Sequence, residues 1–416
     1  VEIISSNALK GVVFFEIGHQ NWGEAKSGAA LGNDGKEVKV RYSYVDWVIP
    51  QTDAKVRMGL QPFGVPTFAV PMAVLDTDGA GITVSGQFTE NVGAALFWLR
   101  PYNEYSDRMT DGGNMHDAMD VVGLTVPLTF DGVKVTPFAM YSMIGRDTHF
   151  GGGANNSNGV AAGLLPAGAG AHWGAKLDDH GNAWWGGITA EMTLFDPFRV
   201  AADFAYGSVD MGNSGNFDMK RSGWYAALAG EYKLDYMTPA LTFWYASGDD
   251  GNVKNGSERL PSIAGAGNFT SFMGDGNLAW GTGYNFYDNN LTYAGTWGVV
   301  LQIADVSFVE DLKHTFRVAY WGGTNSPSMV KYMGSAVAWD DTTAAQDGPY
   351  LTTNDGLLEF NLVNSWQIYE NLEANLELGY IINMMDKDTW DKSYVSDRNW
   401  SKQDAWKAQL IFAYSF

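Results

Sequence analysis

The chain closes on a segment, Ala405 to Phe416, that alternates with period two. Trp406, Ala408, Leu410, Phe412, Tyr414 and Phe416 fall on one face; Lys407, Gln409, Ala413 and Ser415 fall on the other, with Ile411 the exception. Successive side chains of a strand point to opposite faces, so this is a strand, greasy on one side and mostly polar on the other. In water, such a strand with an open edge invites aggregation. In a closed transmembrane barrel the last strand pairs with the first and no edge remains. The ending therefore predicts an all-β, membrane-spanning antiparallel barrel.

Composition agrees. The 416 residues include 50 Gly, and 14% are aromatic, yet the mean hydropathy is only −0.17. No apolar run approaches the roughly 18–20 residues of a membrane helix. The longest, Phe63 to Leu75, is broken by Pro66 and Pro71. A membrane barrel tolerates modest hydropathy because only every second residue meets lipid. There is no cysteine, hence no disulfide framework and no thiolate metal site. A formal charge of −21 argues against nucleic acid, which needs a basic footprint. Val1 in the place of Met is read as the start of a processed, exported chain.

About sixteen candidate strands run through 1–416 as a single domain. They fall near 11–22, 37–48, 54–61, 81–90, 91–100, 121–130, 133–144, 184–195, 198–209, 222–233, 238–247, 292–303, 311–321, 356–368, 372–384 and 405–416. Their connections alternate between short and long. Asp131-Gly132 and Asp196-Pro197 are short and carry turn chemistry. The stretches 23–36, 62–80, 101–120, 145–183, 208–221, 248–291, 322–355 and 385–404 are long. Sorting loops by side, short periplasmic against long extracellular, is the habit of an outer-membrane barrel. The predicted location is the bacterial outer membrane, with both chain ends on the short side. About eighteen strands is the alternative count, through a weakly alternating Thr67–Val74 or a hairpin inside 145–183.

The alternation assigns faces. Val38, Val40, Tyr42 and Tyr44 read as lipid-facing against Lys39, Arg41 and Ser43; Val56, Met58 and Leu60 oppose Lys55 and Arg57; Phe198, Val200 and Phe204 oppose Arg199 and Asp203. A barrel of this size leaves an aqueous channel, and the derived lining is polar. The expected function is passive diffusion of small hydrophilic solutes and ions.

The Trp-Gly-Gly pieces at Trp185 and Trp321, the Gly and Trp load and the terminal Phe416 resemble the Gram-negative outer-membrane general porins, in particular the homotrimeric porins of sulfate-reducing bacteria of the Desulfovibrio type. The resemblance implies a homotrimer. It implies that Trp406, Leu410, Phe412, Tyr414 and Phe416 form a C-terminal assembly signal. It further implies that the third long loop folds into the pore. There Glu104, Asp107, Asp111, Asp117 and Asp120 would face a basic wall of Lys39, Arg41, Lys55, Arg57, Lys407, Arg199, Lys313 and Arg317. The family's Pro-Glu-Phe-Gly-Gly run is absent from that loop, and only Asp111-Gly112-Gly113 echoes it. Gly93, Ala95, Phe97 and Leu99 read as a small-rich outer face on which copies could meet, or which could equally meet lipid.

No Gly-x-Ser-x-Gly elbow and no His-Glu-x-x-His occurs, so no reaction, metal centre or cofactor is expected. Acidic loop pieces at Asp76–Gly79, Asp249–Asn252 and Asp340-Asp341 leave calcium as a minor alternative, against solvation or contact with outer-membrane lipid and lipopolysaccharide. The rival functions are a substrate-specific channel for sugars or anions, whose lumen would carry Trp185, Tyr225 and Trp244, and an outer-membrane β-barrel enzyme.

Overall fold

A computed structural model describes residues 1–16, 29–32, 38–103, 118–145, 163–166, 180–265, 269–272, 293–334, 336, 349–393 and 403–415. One antiparallel sheet holds eighteen strands. The first nine are β1 (Glu2–Ser6), β2 (Leu9–Glu16), β3 (Lys39–Val48), β4 (Lys55–Gly64), β5 (Asp76–Gln87), β6 (Gly93–Asn103), β7 (Ala118–Thr125), β8 (Leu128–Phe130) and β9 (Val133–Ile144). The rest are β10 (Gly181–Phe195), β11 (Phe198–Ser214), β12 (Phe217–Tyr232), β13 (Thr238–Ala246), β14 (Thr296–Val309), β15 (Leu312–Gly323), β16 (Gly356–Tyr369), β17 (Leu372–Asn383) and β18 (Ala405–Tyr414). Each predicted strand is present within the described residues, though residues 17–22 of the first lie outside them. The count of eighteen arises at two places the sequence did not signal. A short hairpin partner, β1, precedes β2, and Pro127 divides one predicted strand into β7 and β8. Proline has no N–H to give to a ladder, so pairing breaks there.

The outer surface follows membrane physics. Met58, Ile82, Leu96, Val122, Ile188, Phe204, Leu241, Leu301, Val318 and Leu376 are exposed large apolar residues at alternate positions of their strands. Above this band, toward the long loops, aromatic pairs pack against one another across neighbouring strands. Trp184 meets Tyr206 at 5.1 Å, Trp224 meets Tyr245 at 5.5 Å and Trp297 meets Tyr320 at 5.3 Å. Amphipathic rings of this kind sit at a membrane–water interface. Below it, Phe195, Phe198, Phe308, Trp366 and Tyr369 are exposed beside the short turns.

Three expectations change. Among the described residues no register joins β18 to β1 or β2, whereas the last strand was expected to pair with the first. The reason lies in β1: it takes the edge of β2 that β3 leaves free, in the register Glu2↔Val12 and Ile4↔Lys10. The Val1 nitrogen donates to the Val13 carbonyl at 2.8 Å, so Val1 lies partway up the wall rather than at its short side. Second, β3 carries a bulge where Phe14↔Tyr42 is followed by Phe15↔Val40. One extra residue flips the faces that follow. Tyr44 and Asp46 therefore point into the barrel, and Val45 and Trp47 point out. Third, Phe97 and Leu99 are buried inside, while Leu96 is half exposed outside. The Gly93–Leu99 face expected to meet lipid or another copy is an inner face.

Candidate functional site

The lumen is defined by chain segments that leave the strands and fold back inside the sheet. The connection between β4 and β5 does so first. Val65, Val70, Met72, Ala73, Val74 and Leu75 are all buried, although Pro66 and Pro71 prevent a regular element there. This segment reaches the inner face of β11. One carboxylate, that of Asp203, accepts from the Thr67 hydroxyl at 2.7 Å and from three consecutive backbone amides: Phe68 at 2.9 Å, Ala69 at 2.8 Å and Val70 at 3.0 Å. Asp203 is 2% exposed. A buried carboxylate needs such donors, since isolated burial costs several kcal/mol. The Arg199 guanidinium, also on β11, donates to the Phe68 carbonyl at 2.8 Å.

A second segment, 259–265, lies beside the first. Leu75 bridges Ala264 in parallel, and the Ile263 amide donates to the Val74 carbonyl at 2.9 Å. The inner wall grips its main chain. The Trp185 indole donates to the Pro261 carbonyl at 2.8 Å, and Arg221, fully buried, donates to the Leu260 carbonyl at 2.6 Å and the Leu165 carbonyl at 3.3 Å. A third segment, 269–272, docks on β16 and β17. The Thr270 hydroxyl donates to Glu359 at 2.9 Å, the Phe272 amide to Glu359 at 3.3 Å and the Ser271 hydroxyl to Glu377. Lys407 stands 3.8 Å from Glu377, and Phe269 packs on Trp244 and Trp321.

Toward the short turns the wall is wetter and its charges are paired within the wall. Arg57 meets Asp46 at 2.6 Å, with Lys55 at 3.9 Å from the same carboxylate. Arg199 meets Glu191 at 2.6 Å and Glu231 at 3.0 Å, and Lys134 meets Glu191 at 3.1 Å. Lys313 lies 3.6 Å from Asp305, and Arg317 donates to Gln302. The side chains of Lys55, Lys134 and Lys313 are 41%, 55% and 64% exposed, so this vestibule of the inner wall is open to solvent.

The residues named from sequence sort accordingly. Lys55, Arg57, Arg199, Lys313, Arg317 and Lys407 share the inner face, as do Trp185, Tyr225 and Trp244. Lys39 is exposed opposite Glu16. Two residues depart from the lumen. Arg41 pairs at 2.8 Å with Asp78, on the same face of β5 as the exposed Ile82 and Val84. Asp120 makes a two-fold bond to Arg100, at 2.8 Å on each arm, and accepts from the Trp98 indole at 3.0 Å. Its neighbours Met119 and Val121 are buried while Val122 is exposed, so Asp120 lies on the outward rim. Glu104, Asp107, Asp111 and Asp117 lie outside the described residues, as does Phe416. Asp249, offered as a calcium ligand, is turned inward: it accepts from Tyr350 at 2.7 Å, Ser257 at 2.5 Å and the Glu258 amide at 3.2 Å. Burial beside that carboxylate pushes the Tyr350 hydroxyl well above its usual range. Asp340 and Asp341 lie outside the described residues.

No family model matches the chain, and no curated protein matches it. Solved structures do. The chain is similar to Pseudomonas aeruginosa OccK2 (OpdF), with a TM-score of 0.50 at 10% identity, over 98% of this chain and 85% of that one. Acinetobacter baumannii OccAB1 gives a TM-score of 0.49 at 10% identity, over 97% of this chain and 85% of that one. The outer membrane protein OprD from Pseudomonas aeruginosa gives 0.46 at 12% identity, over 91% and 78%. The likeness to OccK2 speaks for the fold, an antiparallel β-barrel.

Proposed function

We propose that this chain is a bacterial outer-membrane channel for small hydrophilic solutes, and that it is solute-selective rather than a wide general pore. The observation that carries this reading is the use of the inner wall. Four buried polar side chains of that wall, Asp203, Arg221, Trp185 and Glu359, hold the main chain of in-folded segments across the lumen. The general porins that the sequence resembles are expected to be narrowed by one in-folded loop, whereas here three separate segments are held inside the sheet. Here a charged vestibule on the short-turn side leads to a constriction built from residues 65–75, 259–265 and 269–272. Narrow passages lined by fixed donors and charges discriminate by size and hydrogen bonding. The apolar outer band and aromatic pairs support placement in a membrane.

Single-channel recording in a planar bilayer tests the reading. Small ohmic steps that a subset of permeating solutes blocks and saturates are expected. Large, solute-indifferent steps would return the general-porin alternative. No current from folded protein would overturn the channel reading.

A further inference from the structure

We propose that Asp203 is the latch of the constriction: its carboxylate holds the limb Thr67–Val70 across the lumen, and releasing that limb widens the passage. The proposal rests on the channel reading above and names the residue that positions its narrowest part.

The two limbs of the 65–75 segment are held differently. The returning limb, Ala73 to Leu75, lies in the apolar interior and is tied to 262–264 through the Val74 carbonyl and the Leu75–Ala264 bridge. The outgoing limb crosses to the far wall. There four donors converge on Asp203, and one more contact joins the Phe68 carbonyl to Arg199. Three successive amides aimed at one point form an anion-binding concavity. Its occupant here is a side chain from a strand more than a hundred positions away in sequence, with a separation of 133 to Val70. Bonds to an ionised acceptor are the strong ones. Three of the four donors, Thr67, Ala69 and Val70, meet Oδ2, and the Phe68 amide meets Oδ1. A methyl group in the same place offers no acceptor, so Asp203→Ala frees the outgoing limb while the returning limb stays seated.

The chain has no cysteine, which permits a reversible test. Thr67→Cys and Asp203→Cys are combined and joined by a short bis-thiosulfonate linker that dithiothreitol removes. Folding is checked by heat-modifiable gel mobility, and single-channel conductance is read in both states. Linked protein is expected to conduct as the wild type does. Reduction is expected to raise conductance, and relinking to lower it again. Asp203→Ala is expected to match the reduced state. Equal conductance in the two states, or a pair that the linker does not join, overturns the latch while leaving the channel reading intact. Absence of current from folded wild type and from both states overturns the channel reading and the latch with it.

Discussion

Arg57 on β4 stands directly opposite Asp46 on β3 and binds it with both arms of the fork, Nε to Oδ1 at 2.6 Å and Nη2 to Oδ2 at 2.8 Å. The same guanidinium lies 4.1 Å from the centroid of the Tyr44 ring. Bidentate pairing fixes geometry as well as charge. Neither residue faces the vestibule as a free charge, so each masks the other.

That masking predicts opposite selectivity shifts. Arg57→Ala uncovers Asp46 and moves the reversal potential in a salt gradient toward cations. Asp46→Asn moves it toward anions. The double variant returns near the wild type, since the pair contributes little net charge. Shifts of the same sign would overturn the masking, and no shift in either single variant would show that the pair does not line the conducting path.

Glu377 is fully buried among Ser271, Gln409 and Lys407. Removing one partner of a buried pair strands the other, at about 3–5 kcal/mol. Glu377→Ala is expected to lower the melting temperature in detergent and to open the 269–272 segment to protease. Glu377→Gln, which keeps the volume and one acceptor, is expected to do so much less. Equal effects would mean that the charge has no part in seating the segment.

A Cβ on Gly207 would stand 2.4 Å from Cδ1 of Trp185 and 2.8 Å from Cγ of Pro261. Gly207→Ala must therefore displace the indole or the segment it holds, and overpacking of this kind costs about 1–3 kcal/mol. Trp185→Phe loses the bond to the Pro261 carbonyl, about 1 kcal/mol, and leaves a cavity where the larger ring packed. Thermal melts are expected to fall for both variants, Gly207→Ala by crowding the segment and Trp185→Phe by releasing it; an unchanged melt for either would mean that the indole does not seat the segment.

Asp120 and Arg100 pair on the outward rim. Asp120→Asn is expected to leave conductance and selectivity unchanged and to alter stability by no more than about 1 kcal/mol, as exposed pairs do. A change in conductance would place Asp120 in the pore after all.

The strands were legible because lipid enforces alternation where the inner wall is wet. Phe198, Val200 and Phe204 against Arg199 and Asp203 leave no doubt about which side is which. β6 defeats the same logic. Ala95, Phe97 and Leu99 alternate with Leu96 and Trp98, apolar against apolar, because the in-folded segments give the inner wall an apolar core of its own. β3 defeats it differently: one bulged residue at Arg41 reverses every later assignment, and no composition signal marks a bulge. β1 was missed because a five-residue strand is too short to show a period. The latch was illegible for a third reason. Asp203 could be placed on the inner face, but its partners Thr67 to Val70 belong to a distant Pro-bounded loop, and local pattern carries no information about contacts of that range.

The ring of Tyr293 lies nearly parallel to two others, at 11° to Tyr225 and 8° to Trp321, with centroids 6.2 Å away in both cases. Tyr293 belongs to the loop entering β14, at φ 60, whereas its two neighbours are wall residues of β12 and β15. The loop thus inserts one chromophore between two that the barrel holds fixed. Rings held at this spacing couple, so unseating the loop is expected to change the near-ultraviolet circular dichroism of the barrel. The barrel carries its own optical report of whether its interior is assembled.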